Sequence, residues 1–142
     1  MKRKILYIFI FFSFSFLTYA DDNYQMQINK LLDQLKKTSN YETAKEIEKK
    51  IWQFWITHPK EESLTSLMAD GSLYMSQNDL ENAYKLFSKT IELDPTWAEA
   101  WNKRATVLYL MGKYELSQAD INKVLELEKR HFGALSGQGL VQ

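Results

Sequence analysis

Apolar residues recur along most of the chain at spacings of three and four positions, a pattern that predicts helices with one buried face. The first of these helices lies between Asp21 and Lys37. Its apolar face consists of Tyr24, Ile28, Leu31, Leu32 and Leu35. Polar residues 38–40 interrupt the pattern, so the helix is expected to end there.

A second helix is predicted to follow at once. Ser39 with Glu42 three residues later is typical of a capping box, in which each side chain bonds the other residue's backbone N–H. The apolar face of this helix consists of Ala44, Ile47, Ile51, Phe54 and Trp55. The His58-Pro59 pair ends it, because proline disfavours helical backbone at the residue before it. Residues 21–60 are therefore expected to form an N-terminal helical hairpin, either a divergent repeat or a cap.

From Leu64 onward the pattern repeats. When the chain is compared with a copy of itself shifted by 34 positions, large residues align with large ones and small with small. The aligned pairs are Leu67 with Trp101, Gly71 with Ala105, Tyr74 with Leu108, Leu80 with Tyr114, Ala83 with Ser117, Phe87 with Ile121 and Ile91 with Leu125. Leu135 and Gly139 continue the phase. The sequence thus predicts units over about 64–97 and 98–131 and a truncated third unit from 132.

Each unit is predicted to be one antiparallel helical hairpin. The predicted helices cover residues 64–76, 80–93, 97–111 and 114–127. Gly112 supplies a left-handed stop between the last two, and Thr96 with Glu99 reads as another capping box. Small residues recur where two helices must approach closely. These are Gly71, Ala83, Ala105 and Ser117.

The period and the order of residue types resemble the tetratricopeptide repeat (TPR). The first unit keeps Gly71, Tyr74, Ala83, Phe87 and Pro95 of the family's pattern, and the second keeps its tryptophan as Trp101. The resemblance covers about residues 64–142. It implies an all-α fold, a short right-handed solenoid of stacked antiparallel hairpins over residues 61–142. It also implies a non-catalytic scaffold that binds a protein or peptide partner.

Asp70 and Arg104 occupy the same phase, 34 residues apart, where the family usually has leucine. Equivalent positions of stacked units are neighbours, so opposite charges at these positions can form an ion pair. Asp120 is a second candidate, because the turn at Gly112 brings the return helix back toward Arg104. An unpaired buried charge is very unfavourable, so we predict a structural ion pair. The alternative is that Asn102, Lys103 and Arg104 hold an acidic peptide terminus, like the carboxylate clamp of some co-chaperone repeats.

The resemblance also implies that the first helix of each unit lines a concave groove. The residues expected to face it are Thr65, Met68, Ser72, Met75, Glu99, Asn102, Thr106 and Tyr109. Such a surface suits a segment of another protein, through adaptable apolar contacts and a few hydrogen bonds. Met68 and Met75 are equally consistent with sealing the core between units.

The N-terminus has a different pattern. Lys2, Arg3 and Lys4 precede an apolar run over residues 5–17, and a candidate cleavage site at Thr18-Tyr19-Ala20 follows. This arrangement is typical of a secretory signal, so residues 1–20 are predicted to be removed and the mature protein to reach the periplasm. The alternative is an inner-membrane anchor, but the run is shorter than the ~20 apolar residues of a bilayer span. The absence of cysteine excludes a lipoprotein anchor, a disulfide framework and thiol chemistry.

Charge and chemistry narrow the function further. The 18 basic and 18 acidic residues balance, which gives no indication of nucleic acid binding. The two histidines, His58 and His131, both look like turn residues, and no metal-ligand spacing, phosphate loop or nucleophile elbow is present. The sequence therefore predicts no enzyme activity, no metal and no cofactor. The alternative to a scaffold is a periplasmic accessory module that binds a glycan or peptide. Its platform would come from Trp52, Trp55, Trp97 and Trp101, although packing also explains them.

Gln142 falls inside the first helix of the third unit, with no polar capping helix after it. We therefore expect either that the chain is a fragment of a longer protein or that another molecule, such as a second copy, covers that face.

Overall fold

The computed structural model describes residues 23–141, and all regular secondary structure in that range is helical. Helix α1 covers residues 23–37. The other helices are α2 (Tyr41–Ile56), α3 (Glu62–Ser76), α4 (Leu80–Leu93), α5 (Ala98–Leu110), α6 (Tyr114–Leu127) and α7 (Phe132–Val141). The prediction of an all-α chain of helical hairpins is confirmed over these residues. The predicted signal at residues 1–20 lies outside them.

The described part of the chain divides between Phe54 and Trp55 into two compact units. In the first unit the buried apolar residues are Ile28, Leu32, Ile47 and Ile51, which belong to the predicted helical faces. The Tyr24 hydroxyl donates to the Phe54 carbonyl at 2.9 Å, and the two rings lie 5.7 Å apart. These contacts fix α1 against the C-terminal turn of α2.

The capping box predicted at the start of α2 is wrong. Asn40 caps this helix instead, because its side-chain oxygen accepts from the Thr43 backbone N–H at 2.9 Å. Asn and Ser are equally good at this position, so the local sequence does not choose between neighbours that are one residue apart.

In the second unit, successive helices pack as hairpins. α3 packs on α4 and α5 on α6, while α5 also contacts both α3 and α7. The first helices of successive units therefore lie side by side, as in a stack of repeats. The core on one side of α5 includes Met68, Phe87 and Val107, and on its other side Ala105 packs with Ile121 and Val124.

The two turns within the hairpins have the same backbone conformation. Asn78, between α3 and α4, has φ +60°, and Gly112, between α5 and α6, has φ +73°. The two residues are 34 positions apart, so the repeat extends to the backbone. The left-handed stop predicted at Gly112 is confirmed, and Asn78 fills the equivalent position because asparagine tolerates this conformation.

Gly71 permits the close approach of α3 and α4. A Cβ atom on this residue would lie 2.6 Å from Cε1 of Phe87, which is fully buried. We expect Gly71→Ala to lower the free energy of unfolding by about 1 to 2 kcal/mol, because overpacking outweighs the better helix propensity of alanine.

Gly139→Ala is the matched control for that prediction, since a Cβ atom there meets nothing within 4 Å in α7. Urea unfolding should show Gly139→Ala to be neutral or slightly stabilising. Equal effects of the two variants would contradict the close approach.

Helix length also bears on membrane insertion. Over residues 23–141, none of the helices combines the length and apolar character that crossing a bilayer requires.

Candidate functional site

A cavity of about 90 Å³ opens between α5 and α7. It is lined by Asn102, Ala105, Thr106 and Tyr109 from α5, Ser117 and Ile121 from α6, and Gly133, Gly137 and Leu140 from α7. Residues three or four apart share one face of a helix, so the spacing of these residues explains why they converge. Three of them, Asn102, Thr106 and Tyr109, belong to the predicted groove.

Three of the polar side chains that line the cavity already donate a hydrogen bond to another group of the protein. The Asn102 amide nitrogen Nδ2 donates to Glu99 Oε2 at 3.1 Å. The Thr106 hydroxyl donates to the Asn102 carbonyl at 3.0 Å, and the buried Ser117 hydroxyl donates to the Ala105 carbonyl at 2.8 Å. The ring of Tyr109 lies 5.4 Å from that of Tyr114. Ala105 and Ile121 give the cavity its apolar surface.

Glu99 does not face the groove as predicted. It is only 1% exposed, and Oε2 accepts from His131 Nε2 at 2.9 Å. Its other oxygen, Oε1, lies 3.5 Å from Lys103 Nζ. The expected capping box with Thr96 is also wrong, because the carboxylate bonds His131 and the Thr96 hydroxyl bonds Asp94. Glu99 therefore supports Asn102 from inside the protein.

The other predicted groove residues lie outside the cavity. Met68 is only 2% exposed and belongs to the core, where Met75 packs against it from a half-buried position, so the alternative of core packing holds for both. Thr65 accepts from the His58 backbone N–H at 2.9 Å, and Ser72 donates to the Met68 carbonyl at 2.8 Å. The structure thus brings together Asn102, Thr106 and Tyr109 of α5 but none of the predicted groove residues of α3.

Both histidines lie between helices as predicted, yet both are buried, which the sequence analysis missed. His131 Nδ1 accepts from the Ala134 backbone N–H at 3.2 Å at the start of α7, and its ring stacks on Trp55 at 3.8 Å. His58 Nδ1 accepts from the Glu61 backbone N–H at 2.9 Å in the same way. Because Nδ1 accepts, Nε2 carries the proton in each ring and donates to a carboxylate.

A signal for this role was present in the repeat. His131 lies 34 residues after Trp97, and both are buried residues at the start of the first helix of a unit. Since a large buried ring is required at that phase, His131 occupies a packing position as well as a turn. Extending the 34-residue repeat by one unit, from Trp97 to His131, therefore predicts that His131 is buried.

His58 pairs with Asp94, its Nε2 donating to Oδ2 at 2.8 Å. Burial alone would raise the pKa of Asp94. Hydrogen bonds from His58 and Thr96 outweigh that effect, so the pKa of Asp94 lies below its ordinary value. A carboxylate with a depressed pKa stabilises the fold above its unfolded pKa of about 3.9, and this stabilisation is lost as the pH falls through the folded value.

We expect Asp94→Asn to lower the free energy of unfolding at pH 6 by about 1 to 2 kcal/mol, because His58 and Thr96 then donate to a neutral group. At pH 3 the difference from the wild type should narrow, because this pH lies below the unfolded pKa of about 3.9 and the stabilisation by the ionised carboxylate decreases there. Urea unfolding at both pH values measures this. A difference of the same size at pH 3 and pH 6 would show that the charge of Asp94 plays no part.

Arg104 pairs with Asp120, the second of the two candidate acids. Arg104 Nε and Nη2 donate to the two carboxylate oxygens at 2.7 and 2.8 Å, and Nη1 donates to Ser88 at 3.3 Å. The guanidinium also lies 5.0 Å from the Trp101 ring centroid. The hydrogen bond to Asp120 raises the pKa of Arg104 despite its burial. Asp70 lies exposed on α3 and takes no part in this pair.

The carboxylate-clamp alternative does not match the geometry. Asn102 lines the cavity, whereas Lys103 lies against Glu99 and Arg104 against Asp120. Successive helical residues point in different directions, so these three groups do not converge on one anion.

None of the four tryptophans of the predicted platform is fully exposed, and Trp52 is half-buried. Trp55 and Trp97 are buried, and the Trp97 indole donates to the Trp55 carbonyl at 2.9 Å. Trp101 is half-buried and donates to the Pro95 carbonyl at 2.9 Å. Among the residues described, no group of three His, Asp or Glu side chains is placed to hold a metal ion.

Comparison with known proteins decides the family. Residues 71–130 match the model of the TPR repeat family. Residues 71–130 are therefore TPR repeats. A TPR repeat-containing protein of Rhizobium etli is 34% identical over 124 residues, which cover 86% of this chain and 59% of the relative. The chain thus spans about three fifths of that protein.

Two further relatives match shorter parts of the TPR chain. An uncharacterized protein of Methanocaldococcus jannaschii is 35% identical over 54 residues, 38% of this chain and 63% of the relative. Trafficking protein particle complex subunit 12 of Mus musculus is 33% identical over 66 residues, which cover 46% of this chain and only 8% of the relative. Proteins built from repeats of this kind commonly present an extended binding surface.

Proposed function

We propose that the chain is a non-catalytic scaffold of the bacterial periplasm or cell envelope, which binds a segment of a partner protein between α5 and α7. The observation that carries this proposal is the cavity lined by Asn102, Thr106 and Tyr109. Binding sites are typically concave and mostly apolar, with a few polar groups that orient the ligand. Neither a cofactor nor a metal is part of the proposed activity.

Two observations support binding of protein rather than sugar. The indole rings of Trp55 and Trp97 are buried and unavailable for stacking on a glycan. The mouse relative is by its name a subunit of a complex, which agrees with a role in assembly.

Site-specific photo-crosslinking tests the binding surface. A photoreactive residue replaces Thr106, which is exposed and lines the cavity, or Asn122, which is exposed on α6 outside it. In cells, position 106 should crosslink to one protein much more strongly than position 122. Equal yields at the two positions would place the partner elsewhere.

Export is a separate part of the proposal and rests on the residue pattern of the first 20 positions. Expression of the full chain followed by fractionation and N-terminal sequencing should give a periplasmic protein that begins at Asp21. A protein that keeps Met1 and fractionates with the membrane would support the anchor instead.

A further inference from the structure

We infer that the cavity between α5 and α7 selects a peptide segment that donates hydrogen bonds around one small aliphatic side chain, and that it discriminates against carboxylate groups. This inference rests on the proposed function, because it specifies which kind of segment the scaffold binds. It follows from which hydrogen atoms of the polar side chains around the cavity are already used in hydrogen bonds within the protein.

The orientation of Asn102 is fixed from behind by Glu99. Glu99 Oε2 accepts from His131, whose Nδ1 is occupied by the Ala134 backbone N–H. Since this oxygen acts as an acceptor, Asn102 must turn its amide nitrogen toward it. The carbonyl oxygen Oδ1 of Asn102 and the second hydrogen of Nδ2 then remain for a ligand, so Asn102 offers one acceptor group and one donor.

Two hydroxyl groups give the cavity a preference for ligands that donate hydrogen bonds. Thr106 and Ser117 each use their single hydrogen in a bond to a backbone carbonyl of α5. What each hydroxyl still offers is lone pairs. Thr106 and Ser117 therefore act only as acceptors toward a ligand, whereas Asn102 and Tyr109 can each accept or donate, so acceptors outnumber donors at the cavity.

Size and charge restrict the ligand further. The cavity of about 90 Å³ is smaller than the engineered cavities of about 150 Å³ that hold benzene, so it suits a branched aliphatic group such as an isopropyl group. Its lining contains no charged residue, and the nearby cations Lys103 and Arg104 are paired with Glu99 and Asp120. A carboxylate would meet more acceptors than donors there, without a cation to compensate its charge. Backbone N–H groups of an extended peptide would meet partners.

The test uses three small probes that share one isopropyl group: isobutyramide, isobutylamine and isobutyrate. Each is titrated into the purified protein at neutral pH while the backbone amide signals of Ala105 and Gly137 are followed by NMR. Isobutyramide and isobutylamine should shift these signals at concentrations at least tenfold below those that isobutyrate needs. Preference for isobutyrate, or no shift with any probe, would overturn the inference.

Thr106→Val removes one acceptor from an exposed position without changing side-chain size. It should weaken isobutyramide binding by about two- to tenfold, the effect of one lost hydrogen bond. Ser72→Ala is the matched control, because Ser72 is the equivalent hydroxyl one unit earlier, outside the cavity lining. Equal effects of the two variants would also overturn the inference. Crosslinking from position 106 reports on the scaffold function independently, so the failure of one proposal is distinguishable from failure of the other.

Discussion

Arg104→Leu is expected to lower the free energy of unfolding by about 3 kcal/mol, although it restores the leucine that the TPR pattern has at this position. The substitution leaves the Asp120 side chain, which is only 7% exposed, without the guanidinium that bonds both of its oxygens. An isolated buried carboxylate is far less favourable than a paired one. The estimate is at the low end for buried pairs because the Arg104 side chain is still 19% exposed.

The double variant Arg104→Leu with Asp120→Leu separates the charge effect from the loss of packing. Replacing both members of a buried pair by apolar residues is often neutral or stabilising. Chemical unfolding of the wild type, both single variants and the double variant gives the coupling energy directly. We expect the double variant to recover most of the stability lost by Arg104→Leu. An additive result would mean that the pair contributes nothing beyond its separate side chains.

The repeat phase predicted the helices and turns of the second unit well. Helix α6 begins at Tyr114 and ends at Leu127 as expected, and Gly112 adopts the left-handed conformation. These features depend on residues that are close in sequence, so apolar spacing and glycine chemistry are enough to predict them.

The repeat phase was less informative about which residues surround a given position. Met68 and Asn102 are equivalent in phase, but Met68 is buried in the core and Asn102 lines the cavity. The difference arises because α5 lies between two other first helices, α3 and α7, and so presents different residues to each. Equivalent positions in a short array do not have equivalent neighbours, and only the packing of α7 decides which residues of α5 remain accessible.

Partners far apart in the chain were predicted least well. Glu99 was expected to cap its own helix, yet it bonds His131, 32 residues later. Both a capping box and a long-range hydrogen bond can use a glutamate in the first turn of a helix. The sequence around that glutamate is therefore the same whichever partner it bonds. The signal that separates them is the histidine at the start of the next unit.

His131→Phe is expected to lower the free energy of unfolding by about 3 to 4 kcal/mol, because it removes one of the two hydrogen-bond donors of buried Glu99 Oε2 and the acceptor for the Ala134 N–H. Phenylalanine keeps a ring of similar shape beside Trp55, so the loss measures hydrogen bonding more than packing. Urea unfolding followed by tryptophan fluorescence provides the measurement.

His58→Phe is the matched control, because His58 makes the same two kinds of hydrogen bond. Its partner Asp94 has a side chain that is 24% exposed, whereas the side chains of His131 and Glu99 are both 0% exposed. Water can therefore solvate the Asp94 carboxylate once its donor is lost, and we expect a smaller effect of about 1 to 2 kcal/mol. The two variants differ chiefly in the burial of the carboxylate left behind. If the two variants lost the same stability, the burial of Glu99 would not be what makes His131 important. The support that Glu99 gives Asn102 would then need another explanation.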